Sequence, residues 1–327
     1  MQRSRFSQDL PGSHRPRSAQ QLIRTGIGRG TLKGPNWRRV GRGFYTPTID
    51  GALTPGQRIL DAAPFIGGGV LGGWAAAYVH GVDWLDGIDP FTFEQLRVDC
   101  LAVRRPQLPA IRHRNNVVPR ADRMVVDGIA VTTPTRTAFD GARWAGSLEE
   151  AVVFTDAVAH FTGIDPVELE RFAVEHPYYQ GVQQAIAAAK LTNGDVLSSW
   201  ESRLRCCYLL DAGLPDNLLV NVPIFAGGRE LGWPDLLDPD AGLVLEFDGA
   251  QHRDRAQHHR DNIREEEFED TNLTVLRADS LDLTRERDSF VRRVHTGYAR
   301  SVVRDRSKDR WTLDPPPGWR PHGPRIR

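Results

Sequence analysis

"WPDLLDPDAGLVLEFDGAQHR", residues 233–253, decides how the C-terminal third of the chain folds. An acid follows a proline at Pro234-Asp235, the chain turns through Asp238-Pro239-Asp240-Ala241-Gly242, and an apolar run ends in Glu246 and Asp248, with His252 just beyond. The run "GLVLEFDG" predicts a strand whose alternation sets Val244, Glu246 and Asp248 on one face and Leu243, Leu245 and Phe247 on the other. The second set is a core face. The first turns acidic as the strand ends, and two neighbouring carboxylates repel each other unless a cation lies between them. Oxygen donors of this kind suit a hard divalent cation. Asp235 precedes Glu246 across a tight turn, so antiparallel neighbours would bring a third acid to the same place.

Around this stretch the sequence predicts a helix over 198–211, strands in "NLLVNVPIF", "GWPDLL" and "GLVLEFDG" with "GGREL" as a turn, and a long polar helix from about Arg253 to Asp270. A strand "LTVLRA" and a last helix from about Arg285 to Val303 follow. That order implies a mixed sheet with helices on its faces.

The pattern resembles the PD-(D/E)xK nuclease superfamily, in which an acid after proline and an acid on the next strand hold magnesium against the scissile phosphate. Here the motif stands as Pro234-Asp235 and Glu246-Phe247-Asp248. More narrowly, "ESRLRCCYLLDAGLP", the opening stretch and "HHRDNIREEEFEDTNLTVLRADSLDL" are similar to an uncharacterised domain family related to very-short-patch repair endonucleases, over roughly 198–283. The resemblance implies a restriction-endonuclease-like domain in which Asp235 and Glu246 bind Mg2+ or Mn2+. It also implies that His252 or Asp248 positions the attacking water and that Glu201 is the helix acid near the metal. Arg253, Arg260 and Arg264 would clamp phosphate. One departure stands out: Asp248 occupies the place of the motif lysine, and no lysine lies between Lys190 and Lys308. Each residue also has an ordinary reading. Glu201 with Ser198 makes a capping box, Asp235 is a turn residue after proline, Glu246 is a salt-bridged strand end, and Asp248-Gly249 is a turn. His252 is a solvent-exposed turn histidine, and the helix carrying His258, His259 and Asp261 presents a solvated face.

The formal net charge is zero, yet residues 1–48 hold ten basic side chains against the single acid Asp9, and residues 285–327 hold twelve against five. Cationic ends attract phosphate backbones. Residues 18–48 read as two short helices followed by a basic hairpin, the layout of a winged helix. The stretch "WRRVGRGFYTP", residues 37–47, resembles the N-terminal domain of AbiEi-type antitoxins, and implies DNA contacts by Arg29, Lys33, Arg38, Arg39 and Arg42.

Residues 49–191 read as a mainly helical connecting region with a few strands, its helices starting at Thr133-Pro134, Ser147 and Asp165-Pro166. The uncharged stretch from Ala62 to Val82 reads as a buried helix rather than a membrane span, given Pro64, six glycines and no basic anchor. Its formal GxGxxG at Gly67, Gly69 and Gly72 reads as turn and packing glycine, with no nucleotide cofactor, because the segment before it reads as a helix.

The expected architecture is therefore α/β, α+β overall. A basic winged-helix-like domain (1–48), the connecting domain (49–191), a nuclease-like domain (196–305) and a basic Pro-rich tail (306–327) follow one another, with "TNGD" at 192–195 as linker. Three cysteines, two of them adjacent, form no disulfide or zinc framework, and no secretory signal is visible, so a reducing cytoplasm is the expected location. DNA is the expected partner and a homodimer is left open. The functional expectation is a metal-dependent DNA endonuclease. Its alternatives are a catalytically degenerate, antitoxin-like DNA-binding regulator and a structural partner protein.

Overall fold

The computed structural model describes residues 14–106, 108–249, 265–321 and 323. The chain divides into two compact units, Met1–Thr192 and Asn193–Arg327, and is mixed α/β, with mixed and antiparallel sheets.

In the first unit, β1 (Arg17–Ser18), α1 (Ala19–Arg24), β2 (Trp37–Gly41) and β3 (Phe44–Pro47) make a small antiparallel sheet of order β1-β3-β2 with one capped helix. Ser18 and Gln21 close a reciprocal capping box on α1. The second expected helix is only a 3-10 turn, Thr31–Lys33. Gly26, Gly28, Gly30 and Gly34 surround it, and glycine makes helix extension costly. The basic hairpin stands where the sequence put it. Its register slips between Arg39 and Gly41, and the ring of Phe65 fills the space there, since a Cβ on Gly41 would lie 2.4 Å from Phe65 Cζ.

Thr54 caps α2 (Pro55–Ala62), which opens with Pro55. The stretch Ala62–Val82 is buried for most of its length but is not one helix. Pro64 and the glycines break it into a 3-10 turn (Ala63–Phe65), β4 (Val70–Leu71) and α3 (Gly73–Val79). With β5 (Val98–Ala102), β6 (Ile111–Asn115), β7 (Arg123–Val126) and β8 (Ile129–Thr132), β4 forms a five-stranded mixed sheet of order β6-β5-β4-β8-β7. The region thus holds a five-stranded sheet beside its helices. Its central strand has two residues and β6 is the basic "IRHRN", so neither carried a strand-like pattern.

The helical half comprises α4 (Pro134–Trp144), α5 (Leu148–Thr162), α6 (Pro166–Glu175) and α7 (Val182–Leu191). Thr133, Ser147 and Asp165 accept N–H bonds at the starts of the first three. Arg136, wholly buried, pairs with Asp140 at 2.8 Å and Asp122 at 2.9 Å, which ties α4 to the turn before β7. Burying such a charge is tolerable only because two carboxylates pair with it, through Nε and Nη1. At the end of α3, the His80 ring bonds the Thr132 carbonyl at 2.7 Å, and burial holds its pKa below the ordinary value.

The second unit opens with α8 (Ser199–Cys206), which continues into a π turn, Cys207–Asp211. Then come β9 (Leu219–Val220), β10 (Ile224–Ala226), β11 (Arg229–Gly232), β12 (Leu236–Asp238), β13 (Leu243–Phe247), a helix α9 described over 265–270, β14 (Thr274–Ala278) and α10 (Arg287–Val302). Strands β14-β13-β12-β9 make one sheet, parallel between β13 and β14 and antiparallel elsewhere. In "GGREL" only Gly227-Gly228 turn, both at positive φ as tight hairpins favour, and the rest is β11.

Both faces of this sheet are covered. Val244 and Leu237 pack with Ile224, Leu231, Phe268 and Leu273 on one face. Toward the other, α10 approaches so closely that a Cβ on Gly297 would lie 2.7 Å from Leu276 Cδ1. The face carrying Glu246 is therefore apolar until its last step. The Pro-rich end is folded in part: Thr312 bridges to Phe225, and Trp319 sets its ring edge-on to Phe225 and donates to Glu230 at 2.9 Å. No helix among the described residues is long and apolar enough to cross a membrane.

Candidate functional site

The register of β12 against β13 runs Leu236↔Leu245, Leu237↔Val244 and Asp238↔Leu243. One step further along, Asp235 stands opposite Glu246, and directly opposed residues of an antiparallel pair share a face. Both are buried, at 6% and 3% exposure. The Asp235 carboxylate accepts the Phe247 N–H at 2.7 Å, so its position is fixed by the backbone of the strand that carries Glu246. The Asp238 carboxylate accepts the N–H groups of Asp240 and Ala241, both at 2.9 Å, and holds the connecting turn in shape.

Glu201 is the third acid at this end of the sheet. One of its oxygens takes the Leu197 N–H at 2.7 Å and the Asn221 side-chain amide at 2.8 Å. Asn221 in turn donates its backbone N–H to the Asp235 carbonyl at 3.1 Å and adopts a left-handed φ of 50°. A non-glycine residue rarely takes that conformation, and asparagine does so more readily than most. Asn221 thus links the helix acid to the strand acid. Its one signal in the sequence was an asparagine inside the apolar "NLLVNVPIF". Below, Trp200 stacks on Phe247 at 5.0 Å, nearly parallel, with the Arg203 guanidinium 5.1 Å over the indole.

Glu246 has a cationic neighbour that the sequence reading passed over. Arg277 is its partner in the parallel β13/β14 register, with Nη2 3.9 Å from a Glu246 oxygen and 3.0 Å from Glu265 on α9. A lone arginine in the apolar "TVLRA", on the same alternation as Val275, was the available signal. Asp248 is half-buried, and its backbone N–H extends the parallel pairing to Ala278 at 2.7 Å. His252, Arg253, Arg260 and Arg264 lie outside the described residues. Among the described residues, no three or more His, Cys, Asp or Glu side chains gather as a metal-holding cluster, so the expected convergence of Asp235, Glu246 and Asp248 does not form as a threesome, and the Glu201 side chain is bonded to Asn221. As donors, two buried carboxylates from adjacent strands fit a hard divalent cation.

In the first unit, Arg29, Lys33, Arg39 and Arg42 are exposed. Arg38 is not: it pairs with Asp61 of α2 at 2.7 Å and docks the hairpin. Burial pushes the Asp61 carboxyl up from its ordinary value, against the bonds from Gln57 and Arg38 that lower it. No family model, curated protein or solved structure matches this chain.

Proposed function

We propose that the protein is a divalent-metal-dependent DNA endonuclease whose hydrolytic centre lies at the end of β12 and β13. The observation that carries this reading is the opposition of Asp235 and Glu246, two buried carboxylates held at one lip of the sheet. Buried carboxylates carry a desolvation cost, and a fold has little reason to oppose two of them except to bind a cation. Asp235 is oriented by the Phe247 N–H, which one of its oxygens accepts. Glu201 and Asn221 hold the Asp235 backbone in place. A divalent ion bound by this pair would polarise a phosphoryl oxygen and acidify a water for in-line attack. Arg277, anchored by Glu265, supplies positive charge beside Glu246, the service that a motif lysine gives elsewhere. The exposed arginines of the β2/β3 hairpin bind the backbone of the DNA.

The same Arg277 also favours a second reading. A guanidinium beside Glu246 already balances one carboxylate, as it would in a degenerate centre that binds DNA without cutting it. Supercoiled plasmid incubated with Mg2+ separates the two. The endonuclease nicks it, EDTA abolishes nicking, and Asp235→Asn and Glu246→Gln abolish it without loss of DNA binding. Salt-dependent binding that persists in EDTA, with no cleavage under any divalent ion, selects the regulator instead.

A further inference from the structure

We propose that the open cleft between the Gly67-Gly68-Gly69 turn and the end of β5 binds an unpaired nucleotide of single-stranded nucleic acid. Arg104 and Arg105 take a backbone phosphate, and Phe65 and Val103 receive the sugar and base. The assignment rests on the reading of the protein as a DNA-acting one and adds the form of the substrate.

The cleft encloses about 660 Å³ and is lined by three arginines, with no aspartate or glutamate among its described walls. That volume lies within the range of small-molecule sites, roughly 300–1,000 Å³, and exceeds what a phosphate alone would fill. Arg123 is fixed in the wall, donating to the Val118 carbonyl at 2.6 Å and to the Gly68 carbonyl at 3.4 Å. The side chains of Arg104 and Arg105 are exposed and make no hydrogen bond or ion pair with the described residues, so two guanidinium groups remain to close on an anion. Beside them Val103 is 69% exposed, an apolar surface next to cations that matches a nucleotide's division into phosphate and base.

The glycines explain how a ligand could come close. Gly67 holds φ +58°, and both it and Gly68 have open space where a Cβ would stand, leaving backbone exposed to the cleft. Gly69 does the opposite work: a Cβ there would lie 2.7 Å from the Leu101 carbonyl, so the turn is pressed against β5. Phe65 joins the cleft to the hairpin, its ring edge-on to Phe44 at 5.3 Å. A nucleic acid crossing the hairpin tip at Arg42 therefore has this cleft as its neighbour. A walled pocket admits a base that has left its stack, whereas a duplex keeps its bases inside.

The test uses the full chain and fluorescence anisotropy with a labelled twelve-nucleotide single strand and its duplex at 50 and 200 mM salt. Neutralising one phosphate on a single strand contributes about 0.7 to the salt slope, so wild type should lose about 2.6-fold more single-strand affinity across that range than Arg104→Ala/Arg105→Ala. The charge-matched variant Arg171→Ala/Lys190→Ala, altered on exposed helical faces, should keep the wild-type slope. If wild type binds with salt dependence and the cleft variant is indistinguishable from it, this assignment falls while the DNA reading stands. Equal weakening on single strand and duplex overturns the unpaired-nucleotide site. If wild type binds neither oligonucleotide, the parent reading fails with it.

Discussion

Replacing Asp235 should have two separable effects, because its carboxylate both accepts a backbone bond and carries charge. The Phe247 N–H that it accepts, at 2.7 Å, lies at the end of β13, and Asp235 is only 6% exposed. Asp235→Ala leaves that donor without an acceptor. A buried unsatisfied donor costs about 1–3 kcal/mol, which at roughly 4 °C per kcal/mol for a unit of this size lowers the melting temperature by about 4–12 °C. Asp235→Asn keeps an acceptor oxygen in the same place and loses only the charge, so its cost should stay under about 1 kcal/mol. Differential scanning calorimetry of the full chain without metal reads both, and plasmid cleavage with Mg2+ reads the second effect. The expected pattern is inactivity in both variants with instability in alanine alone. Equal stability of Asp235→Ala and wild type would refute the structural half of the reasoning, and an active Asp235→Asn the chemical half.

Other perturbations test other parts of the molecule. Arg136→Met leaves Asp122 without its partner and Asp140 with Arg143 alone in the interior of the first unit, and should cost about 3–5 kcal/mol by urea denaturation. His80 is held neutral by burial, so its folded pKa lies below its unfolded value. The unfolded chain then binds the extra proton first, and the contribution of His80 to stability, complete above about pH 6.5, should be lost as pH falls below it. Melting curves from pH 8 to 5 should show this decline, and His80→Gln should flatten it. Arg42→Ala, at the exposed hairpin tip, should lower the duplex salt slope by about 0.9 with no change in melting temperature. Arg38→Ala should do the reverse, since its partner is Asp61 rather than DNA.

The parts of the site that could be read in the sequence were those encoded by local pattern. Period-two alternation in "GLVLEFDG" and the turn before it were enough to place Asp235 opposite Glu246. Ser198 with Glu201 announced the start of α8, and the structure adds that the Glu201 side chain reaches to Leu197 and Asn221 rather than standing as an open acid. Residues joined only through tertiary register were not legible. Arg277 meets Glu246 because β13 and β14 lie parallel across a crossover, a pairing that no local spacing encodes. The same holds for the five-stranded sheet: β4 is two residues long amid glycines, and it becomes a strand only because β5 and β8 flank it. Arg38 looked like its exposed neighbours Arg39 and Arg42 and differs from them only because Asp61 of α2 lies beneath it.

The claim on which the functional account stands is that Asp235 and Glu246 jointly hold one divalent cation. Titration of the full chain with Mn2+, followed by electron paramagnetic resonance of the free ion, measures this directly. Wild type should show a saturable site that Asp235→Asn and Glu246→Gln each abolish while the fold, judged by calorimetry, is kept. Undiminished Mn2+ binding in both variants, or no saturable site in wild type, would contradict it.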